Sequence, residues 1–146
     1  MITPLTWWRK KSAIHRTSSS PPAGFPELET RFGLMMKAVA DGRISLRRAV
    51  ELIATNPAKA YGLYPRKGAI KIGVDADFIL CDPKTEYMVE KDRMQTMAKD
   101  IAKIFDGWKL NGIIGKVVLR GKVIYEDGKV VGEPGYGKCL LKGRYL

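Results

Sequence analysis

Few residues in this chain are suited to acid–base, nucleophilic or metal chemistry. One histidine, His15, and two cysteines, Cys81 and Cys139, stand among 146 residues, which gives a single imidazole and no closely spaced pair of thiols. A catalytic zinc takes three or more protein ligands, mostly imidazoles and a carboxylate, and thiolate zinc sites usually start from a Cys-x-x-Cys pair. A Ser-His-Asp or Cys-His arrangement would have to use His15, which lies in a stretch without helical or strand periodicity. The sequence therefore assigns no catalytic residue and no metal ligand. Both cysteines read as buried small hydrophobes, and Asp75, Asp77 and Asp82 read as turn residues that hydrogen-bond nearby backbone.

The elements that would position any site fall into three stretches. Residues 1–21 hold Trp7, Trp8, the basic run Arg9-Lys10-Lys11 and then Ser and Pro, which predicts a mobile arm. The basic cluster follows the apolar residues instead of preceding them, so the arm is no secretory signal, and no apolar run nears the roughly 18 residues of a membrane span. A cytoplasmic location is expected, with no membrane partner. Residues 22–65 predict helices. Leu28, Phe32, Met35, Met36 and Val39 form a stripe over 28–40, with Glu27 and Glu29 in the first turn and Asp41-Gly42 as the stop. Ser45 caps a second helix over 45–55, and Asn56-Pro57 opens a third that ends at Gly62. Residues 66–146 turn to strands: 69–71, 78–81, 87–89, 116–120, 122–125 and 130–131, with Gly73, Gly121 and Asp127-Gly128 as turns and 94–104 as a helical or irregular insert. The layout is α+β.

The formal charge of +11 suggests a nucleic-acid surface, but the excess is spread: net four in residues 1–21, two in 22–65 and five in 66–146. Most cations of the last stretch alternate with apolar residues, as in Lys116-Val117-Val118-Leu119-Arg120, which is the pattern of solvated strand faces. A small basic β-domain binding nucleic acid is therefore the alternative reading and nucleic acid an unfavoured partner.

Three blocks carry a resemblance: Pro22-Ala23-Gly24-Phe25-Pro26-Glu27-Leu28-Glu29-Thr30-Arg31, Asn56-Pro57-Ala58-Lys59-Ala60-Tyr61-Gly62-Leu63, and Lys67-Gly68-Ala69-Ile70-Lys71-Ile72-Gly73-Val74-Asp75-Ala76-Asp77 with the strand after it. Phe105-Asp106-Gly107-Trp108 and Gly115 to Gly128 continue it. In order and spacing they resemble the C-terminal part of the cyclic amidohydrolases: dihydroorotase, hydantoinase or dihydropyrimidinase, and allantoinase.

The resemblance implies that residues 22–65 supply the last loop and helices of a TIM-type barrel and 66–146 the C-terminal strands of a small composite β-sandwich. Such enzymes hydrolyse a ring amide with zinc or another divalent metal, held at the barrel mouth by histidines, a carboxylated lysine and an aspartate. In family order all of those positions precede Pro21, so the chain resembles a truncated fragment or split subunit, inactive alone. A partner chain carrying the barrel is implied, and a homo-oligomer is compatible. One site element remains: Pro22, Ala23, Gly24 and Phe25 match the loop that offers backbone groups to the ring amide. Glu27 replaces a small residue of that loop, and Pro26 stands where dihydropyrimidinases tend to carry a substrate-contacting Asn, which points away from that branch.

Overall fold

A computed structural model of the chain describes residues 27–140. They divide into two units, one made of Phe32–Tyr87 with residues 109–140, the other of residues 27–31 with Met88–Trp108.

The first helix, α1, spans Arg31–Ala40. It starts later than its apolar pattern predicts, because the N–H groups of Thr30 and Arg31 (3.2 and 2.9 Å) and the Thr30 hydroxyl (3.2 Å) all converge on the Glu27 carbonyl and close a turn over 28–30. Leu28, expected in the stripe, is 85% exposed, and Glu27 and Glu29 lie outside the first helical turn. Of the remaining stripe Met36 is buried while Phe32, Met35 and Val39 stay half-buried. The stop at Gly42 is as read: Gly42 takes φ 68°, and the N–H groups of Gly42 and Arg43 bond back to Val39 and Ala38, closing the helix end.

Helix α2, Leu46–Val50, is capped by Ser45, whose hydroxyl accepts from the Arg48 N–H at 3.2 Å. It runs through a π-helical turn, Glu51–Thr55, directly into α3, Asn56–Ala60. Asn56 is therefore not the cap that the sequence suggested. Its backbone is helical and its N–H reaches the Glu51 carbonyl, five residues back. Pro57 has no N–H to give, and the wider turn spans that gap in the hydrogen-bond ladder. After α3 the chain folds back, and the Thr55 hydroxyl donates to the Gly68 carbonyl at 2.9 Å.

Four strands follow in the order β1 (Phe78–Met88), β2 (Lys109–Leu119), β3 (Lys122–Glu126) and β4 (Lys129–Val130), each beside the next in one sheet. β2 and β3 pair antiparallel, with Lys116 opposite Glu126 and Leu119 opposite Lys122, and so do β3 and β4. Both hairpins use two-residue turns with positive φ, Arg120-Gly121 (47°, 80°) and Asp127-Gly128 (47°, 85°), whose twist matches that of the flanking strands. Three expectations need correction. No strand forms over 69–71. The segments read as 78–81 and 87–89 belong to one strand, because β1 is an edge strand, where Pro83 removes no bond that the sheet needs. β2 begins at Lys109, seven residues before the alternation made it legible.

Within this unit α1 packs on β2 and on the end of β1. Leu110 and Met36 are its fully buried large side chains. The approach is so close that a Cβ on Gly112 would sit 2.5 Å from Met36 Cγ, and one on Gly33 would strike the Tyr87 hydroxyl.

In the other unit Val89 and Met94 are buried. The Val89 N–H donates to the Trp108 carbonyl (2.9 Å) and the Gly107 N–H to the Val89 carbonyl (2.8 Å), while Phe105 and Trp108 meet edge to face at 5.3 Å. The insert expected over 94–104 is a set of short turns: 3-10 helices Lys91–Arg93 and Lys103–Phe105 around α4, Lys99–Ala102.

Candidate functional site

The residues expected to contact substrate, Pro22, Ala23, Gly24 and Phe25, and the single imidazole, His15, lie outside the described residues. The structure does show what holds the turn that follows that loop. The Glu29 carboxylate accepts the N–H of Gln95 through both oxygens (2.8 and 3.1 Å) and the N–H of Thr96 (3.1 Å), binding residues 27–31 to the 91–98 segment of their own unit. Glu29 is thus not the helix-dipole partner that its place before the stripe suggests. No local signal announces amides 66 and 67 residues away.

The Asp75-x-Asp77 motif closes a loop, but through side chains and one distant amide and not through the nearby backbone bonds expected of it. Lys67 Nζ binds Asp75 Oδ2 at 2.9 Å and also binds Asp77, while Arg66 Nε reaches Asp75 Oδ2 at 2.9 Å. These contacts close the loop between Arg66 and Asp77, which holds Ile70 and Ile72 out in solvent. The second Asp77 oxygen accepts the Arg120 N–H at 2.7 Å, joining the start of β1 to the β2–β3 turn. The Lys67 and Arg66 hydrogen bonds hold the Asp75 carboxyl below the ordinary carboxylate range. For Lys67 partial burial pulls the other way, and the bonds to Asp77 and Asp75 outweigh it and raise the ammonium. Arg120 continues the network outward: its guanidinium stacks 4.4 Å from the Tyr136 ring and hydrogen-bonds the Tyr136 carbonyl.

Neither cysteine is buried, contrary to expectation. Cys81 sits on β1 in a run of exposed residues, and Cys139 lies beyond β4. Desolvation and the neighbouring Asp82 carboxylate push the Cys81 thiol up, away from the reactive thiolate. Asp82 itself closes a local turn, accepting from the Lys84 N–H (2.9 Å) and the Thr85 hydroxyl (2.6 Å).

An open groove of about 780 Å³ runs along α2 and α3, lined by Leu46, Val50, Thr55, Asn56 and Lys59 among others. Its carboxylate, Glu51, is bound to Arg48 and Arg47 at 3.2 Å each, and its Thr55 hydroxyl is committed to Gly68. The groove assembles no nucleophile with a base beside it. Among the described residues no group of three His, Cys, Asp or Glu side chains is placed to hold a metal ion. The two carboxylates that do converge, Asp75 and Asp77, share the Lys67 ammonium where a cation would sit, so they do not fit a metal. No helix among the described residues is long and apolar enough to cross a membrane.

Comparison with known proteins places these features. Residues 25–124 match the model of the amidohydrolase family. The D-hydantoinase of Ralstonia pickettii is 44% identical over 124 residues, 85% of this chain and 27% of that protein. A solved D-hydantoinase structure superposes with a TM-score of 0.75 at 44% identity over 82% of this chain and 26% of its own, and the L-hydantoinase (dihydropyrimidinase) from Arthrobacter aurescens with 0.73 at 35% over 79% and 25%. The latter likeness runs against the inference drawn from Pro26, since a single loop position weighs little beside a match along most of the chain. The chain spans about a quarter of the length of these relatives. With the family model covering most of its length and agreement in both sequence and backbone, the chain belongs to the amidohydrolase family.

Proposed function

We propose that the chain is the C-terminal portion of a metal-dependent hydrolase of cyclic amides, similar to a hydantoinase, and that it has no activity by itself. The observation that carries this reading is the 44% identity to D-hydantoinase over 85% of the chain but 27% of the relative. Hydrolysing a ring amide at neutral pH needs a metal-activated water, and one histidine in 146 residues cannot build the cluster that makes it. In this proposal a partner chain carries the barrel and its zinc or other divalent ion. Residues 22–65 add the last barrel loop and helices, with Pro22, Ala23, Gly24 and Phe25 facing the substrate, and residues 66–146 add sandwich strands. The comparisons lend the nucleic-acid alternative no support.

The test is complementation. The purified chain with zinc, cobalt or manganese should hydrolyse hydantoin, dihydrouracil, dihydroorotate and allantoin no faster than the metal alone. Turnover should appear when a chain bearing the barrel and its histidines is supplied. Stoichiometric metal binding with turnover by this chain alone would refute the proposal.

A further inference from the structure

Asparagine occurs at two positions in the sequence, 56 and 111. Asn56 precedes Pro57, whose nitrogen has no hydrogen to lose and cannot close an imide ring on the side chain. Asn111 precedes Gly112, the neighbour that hinders such an attack least, because it has no side chain and the freest backbone. The surroundings of Asn111 are unusual in two ways. The residue is 4% exposed, and its Oδ1 is buried without a hydrogen-bond partner. Its Nδ2 donates to the Lys84 carbonyl at 3.2 Å, so the amide on β2 is held by a bond that exists only while β1 lies alongside.

β1 is held lightly. It is an edge strand, the Asp82 carboxylate diverts the Lys84 N–H into a local turn, and Phe78, Ile79 and Leu80 are exposed. Edge strands with few covered apolar contacts open at a lower free energy than the whole fold.

We propose that Asn111-Gly112 is a deamidation site gated by the separation of β1 from β2. In the open strand the Gly112 backbone nitrogen loses its proton to solvent base and attacks Asn111 Cγ. The new N–Cγ bond closes a succinimide as the Cγ–Nδ2 bond breaks, and Nδ2 takes up a proton and departs as ammonia. Water then opens the ring at either carbonyl, giving aspartate or isoaspartate. The sum is one amide and one water converted to one acid and one ammonia. The product cannot re-close the strands as before: the group that donated to the Lys84 carbonyl has become an acceptor, in a place where Oδ1 already lacks a donor. A carboxylate there would be buried without a partner. The isoaspartate form also lengthens the backbone by one carbon and disturbs the alternation of β2 side chains. The site therefore records the time that β1 has spent detached.

The test follows tryptic peptide 110–116 by mass spectrometry, for the amide-to-acid gain, and by enzymatic methylation of isoaspartate. The full chain is held at neutral pH in buffer, in sub-denaturing urea and in fully denaturing urea, with hydrogen exchange of the β1 and β2 amides measured in parallel. Deamidation in buffer should be roughly tenfold or more slower than in denaturing urea, and it should accelerate in step with β1 exchange. The Asn111→Gln chain, whose ring closure is slower, should show no conversion over the same period under denaturing conditions. Equal rates in buffer and denaturing urea, a rate that ignores β1 opening, or no conversion in denaturing urea would each overturn the proposal.

Discussion

The two ends of β1 are held by different physics. At the Tyr87 end the strand lies under α1, where Gly33 and Gly112 let Met36, Leu110 and the Tyr87 ring approach with no space for an extra methyl group. At the Phe78 end three apolar residues are exposed, and the backbone is fixed by charge: Asp77 accepts from Arg120 on one side and binds Lys67 on the other. Packing of the first kind is sensitive to volume and indifferent to pH. Ionic closure of the second kind tolerates shape changes around it but depends on protonation and is weakened by its access to water.

Substitutions at the packed end should have the largest effects. Gly112→Ala places a Cβ 2.5 Å from Met36 Cγ on a residue with φ 91°, and combined overpacking and backbone strain should cost about 3–5 kcal/mol in urea unfolding. A cost under ~1 kcal/mol would mean that α1 and β2 are not in close contact. Met36→Ala leaves the same seam unfilled and should cost about 2–3 kcal/mol.

The ionic end should respond to acid instead. Asp75 has its carboxyl lowered from the ordinary 3.8, first by Lys67 and then by Arg66, so its contribution is present above that value and lost as pH falls through the lower, folded value. Stability should therefore decline on acidification through this range, and Asp75→Asn should flatten that decline while removing about 1 kcal/mol at neutral pH. A pH profile unchanged by Asp75→Asn would remove the loop closure from the account. The smallest effect is expected at Ile72, which is fully exposed on the loop that these charges close: Ile72→Ser should change stability by less than ~0.5 kcal/mol. A larger loss would show that the loop is covered in solution.

Local chemistry made part of this legible in advance. The Ser45 cap, the stop at Gly42, and the Arg120-Gly121 and Asp127-Gly128 hairpin turns were readable because each is decided within about four residues, by a hydroxyl aimed at a nearby N–H or by backbone angles that glycine adopts at little cost. The family resemblance was legible for the same reason, since its blocks are short local motifs in a fixed order. The candidate substrate loop was legible only through that resemblance, and its residues carry no chemistry of their own that could mark them.

Tertiary structure decided the rest. Whether 69–71 became a strand depended on a neighbour to pair with; it has none among the described strands, so Ile70 and the adjacent Ile72 stand in water. Whether Asp82-Pro83 broke β1 depended on its place in the sheet, because at an edge a missing N–H goes unneeded. The cysteines were exposed because no described segment covers the start of β1 or the stretch past β4, a fact about neighbours and not about thiols. Glu29 found amides 66 and 67 residues away, and Asp77 found one 43 residues away. The sequence by itself determined the Ser45 cap, the two hairpin turns and the family. The partners of its charges were set by chain segments that only folding brings together, since a hydrogen bond reads distance in space and leaves no mark on spacing along the chain.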